Sequence, residues 1–371
     1  MKRGIALLLI VIAFLIVDAP DCAAAAQESS LDAVYEQGIE RFGESLPDSM
    51  RAYLEDGKLK EDGGVLDAFW GLLKELPSMT AAQLELPLTL FASVLALLLL
   101  RALIGATGIA EQSAAGSLAV NVAVSLATAL AVSAALTRLI ESAQTVLETA
   151  NTAVVSAVPV YAGLSAAAGT LVSGSLYGLS VALVGGAASS VVTKILLPLT
   201  GILIGLGLVS GITEGLQSLC DGIKKAAVWA MGLLTSCFVG VLSLQGKVSA
   251  NADAALLKTA RFVASSAVPI IGSAVSEASG AVTASARLMR STLGSAGIIV
   301  IAATLLPQIL LCLLSGVSLS LCGVFADIAG LTAQRRCLLT LKASVDILTA
   351  ALTFHLIALI VCVAVMIGTG G

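Results

Sequence analysis

Few residues in this chain are of the types that perform chemistry, and their spacing argues against it. His355 is the single histidine in 371 residues. A Ser–His or Cys–His nucleophile pair would have to use it, and neither H-E-x-x-H nor G-x-S-x-G occurs around it. The seven cysteines are Cys22, Cys220, Cys237, Cys312, Cys322, Cys337 and Cys362. None forms a CxxC pair, so there is no clustered N/S ligand set for zinc or an iron–sulfur centre. Most lie in or beside apolar runs, where a free thiol packs as a small hydrophobe. No G-x-x-x-x-G-K-[ST] is present, and Gly205-Leu206-Gly207 falls inside an apolar run rather than at a strand-to-helix turn. The expectation is a protein with no catalytic residues, no cofactor and no metal, and not an enzyme.

Two polar features remain. The first is the stretch 245–296, too polar for a lipid-facing span and flanked by apolar runs on both sides. Leu256, Ala260, Val263 and Ala267 recur at helical spacing, and beyond Pro269 so do Ile271, Val275, Ala278, Val282 and Leu288. Lys258/Arg261 and Arg287/Arg290 form i, i+3 cation pairs, each on one helix face. The second is Pro307-Gln308 within an apolar run: a candidate hinge or a plain bend, with an amide at membrane depth. His355 lies in a later apolar run, where a proton relay is conceivable, but no deep carboxylate accompanies it nearby in sequence.

The elements that must position these residues follow from composition. The chain is 58% hydrophobic and 12% charged, with a mean hydropathy of +1.01; soluble domains carry about 25% charge. Several apolar runs reach the ~20 residues a helix needs to cross ~30 Å of hydrocarbon. They lack the period-2 alternation of barrel strands, so the fold class is all-α: a polytopic transmembrane bundle of about six to eight spans.

Lys2 and Arg3, the apolar run Ile5–Val17 and Ala24-Ala25-Ala26 form a signal peptide over 1–26. A lipoprotein signal at Cys22 or an uncleaved anchor are the alternatives. Residues 27–84 then form a small exported region. Together with Glu85 it holds 13 acidic residues against 5 basic, whereas residues 86–371 hold 13 Lys/Arg against 9 Asp/Glu. That asymmetry fits an exported acidic part and an anchored body; it offers no clustered basic face for nucleic acid. Leu31, Val34, Ile39, Phe42 and Leu46, then Leu66, Phe69, Trp70, Leu73 and Leu76, mark two amphipathic helices closed by Pro47 and Pro77. This region is a solvated cap or a docking surface for another exported protein.

The membrane domain spans 85–371. Runs at 86–104, 116–136, 195–212, 226–244, 297–321 and 345–367 are spans, while 151–193 crosses once, crosses twice or re-enters. Small residues spaced by four at Gly174, Gly178, Ala182, Gly186 and Ser190, and at Gly207, Gly211 and Gly215, suit tight helix packing or a pore lining. Two crossings in 151–193 would place 245–296 outside the cytoplasm, with Arg335, Arg336 and Lys342 inside, which the positive-inside rule slightly favours.

The stretch after residue 241 is similar to one family. Leu242-Ser243-Leu244-Gln245-Gly246 ends a span; Leu257-Lys258-Thr259-Ala260-Arg261-Phe262, Val268-Pro269-Ile270-Ile271-Gly272 and Ser276-Glu277-Ala278 follow. This resembles the K-T-A-basic-F, P-hydrophobic-hydrophobic-G and S-acidic-A pattern of the stage III sporulation protein AE family. The likeness extends over the chain by layout and over about 40 residues by motif; the exported region matches only in composition. It implies a subunit of a complex in the mother-cell membrane around the forespore. Its partners would be other membrane and ring-forming proteins of the same sporulation operon, the operon's ATPase, a forespore-side protein and the lipid bilayer. Lys258, Arg261, Phe262, Pro269, Gly272 and Glu277 are the candidate interaction residues.

Overall fold

A computed structural model describes residues 85–107, 114–182, 189–210, 216–267 and 272–368, with a few residues between 70 and 84; side chains over 260–283 are outside the description. The expected signal peptide over 1–26 and almost all of the expected exported region over 27–84 therefore lie outside the described residues. The described chain is all helix: α1 Glu85–Ala106, α2 Ala114–Ala167, α3 Leu171–Ala182, α4 Ser189–Val191, a π-helical turn Val192–Leu196, α5 Leu197–Ser210, α6 Leu216–Ala267, α7 Gly272–Ile328 and α8 Thr332–Gly368.

Among the described residues, five helices are long and apolar enough to cross a membrane, over Glu85–Ala106, Leu118–Ala167, Ser218–Thr259, Ala284–Ile328 and Thr332–Val365. Three are far longer than a bilayer requires. At 1.5 Å per residue the 54 residues of α2 reach about 80 Å. What holds so long a helix in place is a buried stripe of Ala129, Val132, Leu136, Leu139, Ala143, Leu147, Ala150, Val154, Ala157, Tyr161 and Leu164. The steps of three and four residues keep the stripe on one face, as in a coiled-coil seam.

Two helix ends are closed by the same device. After α2, Gly169 (φ 71°) donates to the Ala166 carbonyl at 3.0 Å, and Thr170 N–H reaches back to Ser165 O at 2.8 Å. After α7, Gly330 (φ 71°) donates to Asp327 O, and Leu331 N–H to Ala326 O. These are Schellman turns, with glycine in the left-handed conformation that a Cβ disfavours.

The bundle is built around α8, which packs on α7 most extensively, then on α6 and α5, and also on α2 and α3. In the most apolar windows 67% of α7 and 61% of α8 is buried, against 17% of α6 and 22% of α1. The centre is thus α7 and α8, and α1 and α6 are peripheral. Consecutive passes alternate in direction. The start of α3 lies against Asp253 of α6 and Arg290 of α7 approaches Thr170, so these meet at one end. At the other, Gly207 of α5 lies against Leu341 of α8 and Lys224 of α6 against Asp346 of α8. The described pieces α3, α4, the π-helical turn and α5 thus run from the first of these ends towards the second.

Against the expected six to eight spans, two boundaries differ. The runs 116–136 and 151–167 belong to the single helix α2, although Arg138, Glu141 and Glu148 lie between them. Those three are exposed and sit on the outer face opposite the buried stripe, so they interrupt hydropathy without interrupting the helix. The stretch 245–296 is likewise no separate element: 245–267 completes α6 and 272–296 opens α7. Its Ala-rich composition favours helix continuation.

Candidate functional site

At the end of the bundle where α2 turns into α3, four helices converge on a buried polar node. The first turn of any helix leaves N–H groups without intrahelical acceptors. In α3 two of these point at a carboxylate on another helix: Val172 N–H donates to Asp253 Oδ1 and Ser173 N–H to Asp253 Oδ2, both at 2.9 Å. The Ser173 hydroxyl adds a third bond to Oδ2. Asp253 is only 2% exposed, and its negative charge at the positive end of the α3 dipole is electrostatically favourable.

On the other side of the same turn, Arg290 of α7 is 1% exposed and donates through Nη1 to Thr170 Oγ1 at 2.8 Å. Thr170 passes a bond to the Ser165 carbonyl at 3.0 Å. A buried cation and a buried anion thus flank one helix start, each costly to bury alone. Tyr161 of α2 closes the node from below by donating to Leu293 O at 2.9 Å. Its ring meets that of Tyr177 edge-on, centroids 4.9 Å apart. Gln245 of α6 lies at hydrogen-bond distance from Ser180 of α3, 3.0 Å between Oε1 and Oγ.

The opposite end is held by ions. Asp346 of α8 receives Lys224 of α6 and, at 3.1 Å, Lys342 one turn back on α8; Arg335 and Asp327 pair at 3.4 Å on the exposed surface beside the α7–α8 turn. Between the ends, Gln308 of α7 donates to Ser142 Oγ of α2 at 2.7 Å and to Leu139 O at 3.4 Å. Pro307 lies inside α7, whose helix runs through it.

Of the sequence-selected residues, Lys258 is exposed on the outer part of α6. Arg261, Phe262, Gly272 and Glu277 lie on the last turns of α6 and the first of α7, but their side chains, like Pro269 as a whole, fall outside the described residues. The Arg287/Arg290 pair is not a uniform surface feature, because Arg290 is buried in the node. His355 is fully buried on α8, with neither ring nitrogen hydrogen-bonded among the described residues. Two described members of the small-residue stripes pack closely: a Cβ at Gly174 would come within 2.8 Å of Ser165, and one at Gly207 within 2.8 Å of Leu341. Asp253, Thr170 and Tyr161 were not legible as site residues, since their partners lie on other helices, 80 residues away along the chain for Asp253 and Ser173.

A family model described as Stage III sporulation protein AE matches residues 50–370. The Stage III sporulation protein AE of Bacillus subtilis (strain 168) is 24% identical over 164 residues, which is 44% of this chain and 41% of that protein. The aligned part thus spans about two-fifths of the curated relative. No solved structure matches the chain. With the family model matched from within the acidic N-terminal region to the end of α8, the chain belongs to the stage III sporulation protein AE family.

Proposed function

We propose that this chain is a non-enzymatic integral membrane subunit of a channel or secretion-like assembly that links mother cell and forespore and sustains forespore development. The observation that carries the reading is the family match over 50–370, joined to a bundle whose centre is filled. Helix α8 is buried along its length against α2, α3, α5, α6 and α7, so cargo crossing a single copy would have to displace it. The reading therefore makes the chain one part of a larger structure in the mother-cell membrane around the forespore. Its neighbours would be the membrane and ring-forming proteins and the ATPase of the same operon, with a forespore-side partner across the intermembrane space.

Deleting the gene tests this. Spore development is expected to stall after engulfment, with rescue by the wild-type chain in the mother cell and none by expression in the forespore alone. Normal sporulation in the deletant refutes the proposal.

A second reading is a stand-alone secondary transporter, favoured by the pass built from α3, α4, the π-helical turn and α5. Broken helices with a capped half-helix start are a feature of such proteins. Here the buried charges Asp253 and Arg290 face that half-helix start. Uptake of solute by liposomes containing only this protein distinguishes the two, since the subunit reading expects none.

A further inference from the structure

A small cavity of about 10 Å³ lies between α3, α6 and α8, lined by Ser173, Tyr177, Ser180, Gln245, Ser249 and Cys362. We propose that it holds one structural water, which joins Tyr177 to the Asp253 node. Tyr177 is 4% exposed, yet its hydroxyl has no hydrogen-bond partner among the described residues, whereas the neighbouring Tyr161 hydroxyl is satisfied by Leu293 O. A buried hydroxyl without an acceptor is unfavourable and rare.

The other lining hydroxyls are already committed as donors: Ser180 Oγ donates to Leu176 O at 2.8 Å, Ser249 Oγ to Gly246 O at 2.9 Å, and Ser173 Oγ to Asp253 Oδ2. Each keeps a lone pair, and Gln245, whose amide reaches Leu176 O only at 3.5 Å, adds a further donor and acceptor. A water can accept from the Tyr177 hydroxyl and donate to two of these acceptors. The volume matches a single water, and polar cavities of this size are hydrated. No charged side chain lines it, which disfavours a cation. The resulting chain runs from Tyr177 through the water and Ser173 to Asp253, so α3 is tied to α6 along its inner face as well as at its first turn.

The test is a density map of the full-length protein at a resolution that shows ordered waters, paired with thermal unfolding of Tyr177→Phe in the same detergent. A peak at hydrogen-bond distance from Tyr177 Oη, lost in Tyr177→Phe, with a lower Tm for the variant, supports the proposal. An empty cavity, or a Tm raised by removal of an unpaired hydroxyl, overturns it. So does a peak with the short, multiple oxygen contacts of a bound metal ion. Ser249→Val, which fills the cavity, is expected to expel the water and lower the Tm, and an unchanged Tm there counts against it.

Discussion

Asp253 and Ser173 are 80 residues apart in the chain, and Asp253 accepts both the backbone N–H and the hydroxyl of Ser173. One carboxylate therefore starts α3 and fixes α6 beside it. Asp253→Ala leaves the Val172 and Ser173 N–H groups and the Ser173 hydroxyl without their acceptor. Each buried donor left unsatisfied costs about 1–3 kcal/mol. The variant is expected to accumulate poorly in membranes and to unfold at lower temperature in detergent. Combining it with Arg290→Met is expected to cost less than the sum of the single changes, because the two charges share one turn.

The two Schellman glycines separate backbone strain from crowding. A Cβ at Gly330 meets open space, whereas one at Gly169 comes within 2.7 Å of Leu257 Cδ2. Gly330→Ala is expected to lose only the left-handed preference, roughly 1–2 kcal/mol. Gly169→Ala is expected to lose more, and Leu257→Ala in the same chain should recover part of the difference. Chemical denaturation of the purified variants reads both effects.

Gln308 and Ser142 join α7 to α2 at mid-length. Gln308→Ala and Ser142→Ala are each expected to destabilise, with a coupling of about 0.6 kcal/mol, typical of interhelical hydrogen bonds in membranes. A double-mutant cycle on thermal unfolding measures it; strict additivity would show that the two side chains act independently.

Asp346 serves two lysines, so its loss is not equivalent to theirs. Lys342→Ala leaves the Lys224 pair in place, whereas Asp346→Asn sets two half-buried cations side by side. Pairs this exposed contribute up to about 1 kcal/mol each. The expected order of Tm loss is Asp346→Asn above Lys342→Ala, with the gap narrowing at high salt.

The two ends of the bundle give an orientation to test. In a functional variant without native cysteines, single cysteines at Lys258 and at Arg335, both exposed, mark opposite ends of the bundle. On the positive-inside reading, with Arg335, Arg336 and Lys342 in the cytoplasm, Lys258→Cys is expected to react from outside and Arg335→Cys only from the cytoplasm. The reverse pattern overturns that reading.

The helical class and most apolar runs were readable in the sequence, because hydrocarbon admits so few backbone solutions. The helix limits were not. Arg138, Glu141 and Glu148 look like a boundary in a linear hydropathy reading, yet they occupy the outer face of α2 while Leu139, Ala143 and Leu147 stay buried beneath them. Arg287 and Arg290 are three residues apart with the same chemistry, and only the position of α3 decides that Arg290 is buried. Gln308 could be flagged as an amide in an apolar run, but its partner Ser142 could not. The node around Asp253 exists only because α2, α3, α6 and α7 meet there.

The centrality of α8 also bears on how the bundle is made. Residues 332–368 leave the ribosome after every other described helix, yet five α-helices and the π-helical turn pack against them. Until then α5, α6 and α7 have an unfilled groove, and groups destined for the interior face lipid or one another. Assembly is thus gated by the arrival of one late helix, and nascent chains halted before it are targets for membrane proteolysis rather than smaller working versions of the protein.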